Sequence, residues 1–498
     1  MAGIGYWYSH YYFPYAPEDP AGDPYGLDYI HYVDGPPDWD VDGARKRSKT
    51  LSIETLKKRS GVAAIMLNWK RLENVKAILR DLRGSGLYTE FVVWNNNPET
   101  VLSEEMLFGE RIPERVLIVH SAHNIKDMAK YLACGRAVAD VCYYQDDDWD
   151  SSSYRRSLLV SYMGDPSVPH GITNPKTYMT DLVWSCFAPE AHVHTGFMWI
   201  GCGTVFSKAS ALRHLSLMRT VVAPRFEAIS DVFFTMWFNN PPVIYAVELD
   251  QDGLETENAF NQQAGFDELQ YAAGVAALST LWDSASKGDT ELFPASRSRR
   301  HLTQAIRPDD GGLFLTNLGL YREFEHLPCS LPADKARITS DTYPCIHTRA
   351  HCGALLYFGQ HVPVYAVDGN PATCFEANVA PGRAAAFGFD LLAPHKDVTI
   401  RATIRLPGSQ KRDLFQSLPA GLNVSLSLDA QTWSSLSTPP LALSETRLET
   451  RSFSLDAHNL GGDSRVFRAF LITLPPVAYS YTLQVCELTV EGTPLASL

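Results

Sequence analysis

From Gly61 the chain alternates between two hydrophobic periods. GVAAIML (61–67) is an unbroken apolar run of the kind shown by strands buried on both faces, and Leu72, Val75, Leu79 and Leu82 then recur at helical spacing. After the Gly84-Ser85-Gly86 break, EFVVWN (90–95) and RVLIVH (115–120) read as further strands. HNIKDMAKYLACGRA (123–137) reads as a helix whose Ile125, Met128, Ala129 and Leu132 mark one face. VCYYQ (141–145) is the last strand of this series, and three carboxylates in a row, Asp146, Asp147 and Asp148, follow it. Such units join through right-handed crossovers and open their loops at the carboxyl edge of the sheet. The pattern therefore predicts an α/β fold, a Rossmann-like mixed sheet flanked by helices, over residues 60–307.

Other patterns flank this region. Residues 1–59 form an aromatic-rich arm, beginning YWYSHYYFPY, and a basic connector; packing across a neighbouring domain or stacking on sugar rings are the two uses open to it. ELQYAAGVAALSTLW (268–282) is the best helical segment of residues 253–290. Residues 308–344 have the composition of a linker. Beyond them helical spacing disappears, and short strands such as TLQVCELTV (482–490) with frequent turn signals predict an all-β sandwich over 345–498. Trp433 is a candidate for its core.

The three aspartates change the picture most. A strand end is a poor place for three negative charges unless a cation joins them, and hard oxygen ligands suit Mg2+ or Mn2+ that also takes diphosphate oxygens. Alternation along an extended chain puts Asp146 and Asp148 on one face and Asp147 on the other. A calcium loop is opposed by Ser151 and Ser157, which stand where its glycine and closing glutamate belong. Asp146, Asp147 and Asp150 also spell DDxxD, but that motif needs a helix. A solvated acidic turn is the simplest alternative. Asn68 and Arg71 leave the first strand at the same edge, and Asn95 and Asn96 leave the second, so a nucleotide there meets amides and a cation. Asn124 and Lys130 belong to the following helix, where basic groups can steady a diphosphate or merely face solvent. No P-loop lysine motif or GxGxxG turn accompanies the sheet.

Composition narrows the partners. A net charge of -13 in 498 residues argues against sequence-independent nucleic-acid binding, which needs a basic face. No apolar run approaches the roughly 18 residues of a membrane span. The nine cysteines show no zinc spacing; Cys329, Cys345, Cys352 and Cys374 lie close enough in sequence to pair in an oxidising compartment. The sequon Asn423-Val424-Ser425 points to a secretory setting, with the cytoplasm as alternative because the chain shows no signal or anchor.

The series IMLNWKR, FVVWNNNPE, HNIKDMAKYLA and YYQDDDW resembles the catalytic domain of GT-A glycosyltransferases, most closely the exostosin-like family. HTGFMWIGCGTVFSKASAL (194–212) is similar to that family's segment beneath the acceptor, and AISDVFFTMWF (228–238) to its acidic catalytic helix. The likeness runs over roughly residues 60–305. It implies transfer of a sugar from a nucleotide-diphosphate donor, usually UDP-linked, to a glycan or glycoconjugate acceptor, with retention and with manganese on the diphosphate. It further implies that Arg71, Asn96 and Asn124 hold the nucleotide, Asp146 and Asp147 the ribose and sugar side, and Asp148 the metal. Asp231 takes the place of the catalytic carboxylate, although this chain has Ser230-Asp231 where the family has two adjacent acids. A Golgi lumen is the setting implied. Asp231 also suits a helix N-cap, and His192 and His194 could share a metal or flank a loop. A basic tail at Arg297, Arg299, Arg300 and His301 could fold over the diphosphate or face solvent. YAVDGNPATCFEA (365–377), AAFGFDL (385–391) and YTLQVCELTVEG (481–492) resemble a discoidin-like carbohydrate-binding jelly roll. That likeness implies a structural Ca2+ at Asp368, Asn370, Thr373 and Glu487, against a turn closed by its own side chains. The rival readings are a nucleotidyltransferase and an inactive, lectin-like scaffold.

Overall fold

A computed structural model describes residues 31–32, 53–174, 186–188, 191–222, 224–249, 251, 253–256, 265–288, 293, 303–309, 311–318, 360–379, 381–382, 384–406, 422–428, 430, 432–435, 441–447, 452–457 and 466–495. A short helix α1 (Ile53–Arg59) leads into β1 (Val62–Asn68), α2 (Leu72–Gly84), β2 (Glu90–Asn95), α3 (Glu104–Phe108), β3 (Arg115–His120), α4 (Met128–Arg136) and β4 (Val141–Tyr144). β1 is parallel to β2 from Ala63↔Glu90 to Asn68↔Asn95, β2 is parallel to β3, and β1 is parallel to β4 from Val62↔Val141. The spatial order β3-β2-β1-β4 thus reverses direction between β1 and β4. A crevice opens at the carboxyl ends of strands where the order reverses in this way. β1, β2 and β4 are almost wholly buried, as their continuous apolar runs require, and α2 closes one face with Val75, Ile78, Leu79 and Leu82.

The sheet continues past β4 with mixed direction. Helix α5 (Arg155–Gly164) and strand β5 (His170–Thr173) come next, followed by the hairpin of β6 (Cys186–Ala188) and β7 (Val193–Thr195). Strand β8 (Thr204–Ser207) runs antiparallel to both β4 and β5. Helices α6 (Lys208–Val221) and α7 (Asp231–Met236) precede β9 (Val243–Ala246), which is parallel to β5. The predicted alanine-rich helix is α8 (Phe266–Ala285). β10 (Thr303–Ile306) extends the sheet in parallel, and β11 (Leu313–Thr316) turns back antiparallel.

Three expectations need correction here. The segment read as a linker contains β11, which pairs antiparallel with the sandwich strand β13 (Ala385–Arg405) from Leu313↔Asp390 to Thr316↔Phe387. The two halves therefore share a continuous sheet, and Phe314 belongs to the same apolar cluster as Phe375, Phe387 and Phe389; the rest of the predicted linker, from 319, lies outside the described residues. The second helix starts at Met128 rather than at residue 123, after a turn that holds Lys126 at φ 51°. Cys374 pairs with Cys486, and a second disulfide joins Cys134 to Cys142; Cys329, Cys345 and Cys352 lie outside the described residues.

The C-terminal half is antiparallel throughout its described strands. In the chain, β12 (Phe375–Val379) precedes the long β13 and β14 (Asn423–Ser427) follows it, then come β15 (Thr432–Ser435), β16 (Leu441–Arg447), β17 (Ser452–Ala457), β18 (Phe467–Leu474) and β19 (Tyr481–Pro494). The first part of β13 pairs with β18 and its last part with β17 and β19, so one bent strand serves both layers of a sandwich. The bend holds Leu392 and Asp397 at positive φ. Trp433 is 1% exposed and sits in the core, and Asn423 of the sequon donates its amide N–H to Ser435 Oγ over 3.1 Å. From the aromatic arm, His31–Tyr32 form a two-residue strand parallel to β15; the remainder of residues 1–52 lies outside the described residues.

Candidate functional site

The aspartate loop follows β4 at the crevice, and a cation already serves it. Arg71, the last residue before α2, places Nη2 2.6 Å from Asp147 Oδ1 and Nη1 2.9 Å from Asp148 Oδ2. Its Nη1 also donates to the Glu255 carbonyl. The expected alternation of the three side chains does not hold, because the strand ends at Tyr144 and the acids lie in a turn. Asp147 and Asp148 face Arg71 together, while Asp146 Oδ1 accepts from the Tyr144 hydroxyl and its Oδ2 lies against Gly201. Burial pushes Asp147 up to about 7 against the pull of Arg71, with Asp146 and Asp148 adding to the rise. Asp148 is raised for the same leading reason, then by Asp146. Arg71 therefore binds the loop.

A hidden frame holds the loop. Gln145 is fully buried; its Oε1 accepts from Tyr143 Oη, Ser151 Oγ and Arg155 Nη2, and its Nε2 donates 2.9 Å to the Trp149 carbonyl. Arg155, 1% exposed, also pairs with Asp81 of α2. On the outer side, Asn74 Nδ2 and Gln251 Nε2 donate to the carbonyls of Asp147 and Asp148. Each of the three carboxylates still keeps one oxygen without a hydrogen bond among the described residues. Those hard oxygens fit Mn2+ or Mg2+. Among the described residues, however, no group of three or more His, Cys, Asp or Glu stands together as a metal cage; an ion held here would take further ligands such as water and phosphate, the usual arrangement for Mg2+.

The amides at the strand ends build the crevice wall instead of opening into it. Asn68 and Asn95 are 1% and 0% exposed, and Asn68 Nδ2 donates 2.7 Å to Asn95 Oδ1. Asn95 Nδ2 is spent on the Thr100 carbonyl. Asn96 Oδ1 accepts from the Ile125 N–H, and Asn124 Oδ1 from the Lys126 N–H. All four stand at the expected edge, but the side-chain atoms that bond hold loops together.

Lys130 and Asp231 are brought together in the interior. Lys130 Nζ donates 2.8 Å to Asp231 Oδ2, and Tyr131 Oη donates 2.7 Å to Asp231 Oδ1. Both members of the ion pair have side chains 2% exposed. Lys130 is thus neither solvated nor free for a diphosphate, as the sequence reading had it. Ser230 is the N-cap of α7 and makes no side-chain cap bond, and Asp231 uses both oxygens elsewhere, so the capping reading fails too. Lys130 also lies 4.6 Å from the centre of the Tyr144 ring and 3.4 Å from Asp127 Oδ1. Burial pulls its pKa down, but Asp127 and Asp231 outweigh that and leave it raised. Asp127, Tyr131 and Tyr144 were missed by the sequence reading; the only signal was their spacing from Lys130 and Asp146.

The other candidates separate. Arg300 and the rest of its basic run lie outside the described residues. His192 is exposed at φ 56°, and His194 is buried in β7 with its N–H on Asn239 Oδ1, a loop arrangement. Asp368 accepts from the Asn370 N–H and from Thr373 Oγ1, so the turn closes on its own side chains.

No protein-family model matches this chain, and no curated protein matches it. Among solved structures, glucosyl-3-phosphoglycerate synthase from Mycobacterium tuberculosis, in complex with Mn2+, UDP-glucose and phosphoglyceric acid, is 10% identical. It covers 51% of this chain and 87% of its own, with a TM-score of 0.31. The C-terminal domain of a chitobiase from Bacteroides fragilis is 17% identical over 28% of this chain and 85% of its own, at TM-score 0.21. CBM32-3 of a family 31 glycoside hydrolase from Clostridium perfringens is 18% identical over 27% and 84%, at TM-score 0.19.

Proposed function

We propose that the chain is a glycosyltransferase that moves a sugar from a nucleotide diphosphate, UDP-linked, to a glycan acceptor with the help of Mn2+ or Mg2+. One observation carries the reading: the three carboxylates stand in a turn at the carboxyl end of β4, where the strand order reverses beside β1. Each keeps an open oxygen there. Asp148, with Asp146, would hold the divalent ion, which when bound neutralises charge on the leaving diphosphate. The residues of the chain do the rest. Gln145 and Gly201 fix the turn from inside, and Arg71 balances Asp147 and Asp148 until the donor brings its own charge and cation. Since no group of three such ligands stands there among the described residues, the ion and UDP should bind together, each weakly alone.

Thermal denaturation with Mn2+ alone, UDP alone and both together tests this. The pair should add on the order of 2.7 kcal/mol at a hundred times the dissociation constant, with little from either alone. No shift with the pair supports the inactive-scaffold reading instead. Turnover on a panel of nucleotide sugars then separates transfer from nucleotidyl transfer, and NMR of the first product checks the retention implied by the family resemblance. We further propose an oxidising, secretory setting, supported by Cys134–Cys142 and Cys374–Cys486; non-reducing peptide mapping of the expressed chain checks both bonds.

A further inference from the structure

We propose that Asp127 is the carboxylate that takes the proton from the acceptor hydroxyl, a role that rests on the glycosyl-transfer reading above. The argument begins with Asp231, whose side chain is 2% exposed and whose two oxygens are occupied by Lys130 at 2.8 Å and Tyr131 at 2.7 Å. A group so placed is closed to an incoming hydroxyl by its burial. Asp127 leans on the same ammonium, at 3.4 Å from Oδ1, yet keeps 22% of its side-chain surface exposed. Its Oδ2 makes no hydrogen bond among the described residues. One buried cation thus serves two carboxylates, and the outer one is the one a substrate can reach.

Its position suits the chemistry. Asp127 precedes α4, in the loop that leaves β3 at the carboxyl edge, and contacts run from Lys130 to the Tyr144 ring and from the Tyr144 hydroxyl to Asp146. The groups around it are Lys130 and Tyr131 of α4, Asp231 of α7, Tyr144 of β4, and Asp146 in the turn. In the step, the acceptor oxygen bonds to the anomeric carbon as that carbon's bond to the diphosphate oxygen breaks. The electron pair leaves with the diphosphate, and the hydroxyl proton passes to Asp127 Oδ2. Burial, then Asp231, push Asp127 up to about 8 against the pull of Lys130, a range in which a general base works well near neutral pH.

The test compares the full chain with Asp127→Asn, an isosteric change at a partly buried group, using UDP calorimetry with Mn2+ and kcat against pH on a nucleotide sugar that the wild type consumes. Asp127→Asn should bind UDP within about 3-fold of wild type, lose about 10²–10⁴-fold in kcat, and lose the rise of kcat toward pH 8. Asp127→Glu should recover part of the rate. A kcat within about 3-fold of wild type, or a rise with pH that persists, overturns the proposal alone. A kcat loss accompanied by loss of UDP binding makes Asp127 a donor-site residue and also overturns it. A wild type that binds no UDP, or consumes no nucleotide sugar, overturns the transfer reading and this role with it.

Discussion

Two sets of carboxylates in this protein each face a single basic side chain, and they differ in where that meeting takes place. Arg71 meets Asp147 and Asp148 in a turn, with side-chain exposures of 16%, 11% and 14%. Lys130 meets Asp231 at 2% exposure on both sides, between α4 and α7. Water reaches the first set, so its charges can be rearranged, and in the proposed reading a metal with its diphosphate competes for the same oxygens. The second set is out of water, and removing either partner strands a charge. Similar ion pairing therefore yields an exchangeable turn in one place and a fixed post in the other.

The largest expected effect comes from breaking the fixed post. Lys130→Met should destabilise the fold by about 3–5 kcal/mol, since Asp231 is left buried and unpaired; urea unfolding measures it, and Lys130→Met with Asp231→Leu should recover much of the loss. At the turn, Gly201 has no room for a Cβ, which would collide with Asp146 Oδ2. Gly201→Ala should cost about 1–3 kcal/mol and weaken UDP binding with Mn2+, because Asp146 has to shift. Equal UDP affinity in that variant would separate Asp146 from the donor site.

The interior should also respond to acid in a way the turn does not. His214 is 3% exposed, lies tilted 4.3 Å from the Tyr131 ring, and has no hydrogen-bond partner for either ring nitrogen among the described residues. Burial, then Arg213 and Lys130, push its pKa down to about 3. A folded pKa below the unfolded one means that its contribution is fully present above about pH 6.5 and lost as pH falls toward 3, at about 1.4 kcal/mol per unit. His214→Phe should flatten that part of the stability profile. The smallest effect on stability belongs to Asp148→Ala, below about 1 kcal/mol because Arg71 still pairs with Asp147. Its whole consequence should fall on Mn2+-dependent UDP binding, read by calorimetry.

Legibility in the sequence tracked how local each cause was. GVAAIML, EFVVWN and VCYY announced buried strands because residues covered on both faces must all be apolar, and β1, β2 and β4 follow those runs closely. The helix after β3 misled for the opposite reason. Its apolar stripe named Met128 and Ala129, but α4 also buries Lys130, Tyr131, Ala133 and Cys134, since elements pack on more than one side of it. Leu315 and its strand neighbours were taken for linker because three apolar residues after Gly311-Gly312 are too few to carry a period of their own.

What the sequence determined by itself was the alternation of buried strands and helices, the edge at which Asn68, Asn95 and the three aspartates emerge, and the change from helical spacing to strands beyond residue 345. Each depends on neighbours a few positions apart, where chain geometry alone decides which side chains share a face. Tertiary structure decided which cation each carboxylate met: Arg71 lies 77 positions from Asp148, and Lys130 lies 101 from Asp231. Ion pairs form between groups that packing brings within a few ångströms, and the burial created by that same packing sets whether a pair can later be exchanged.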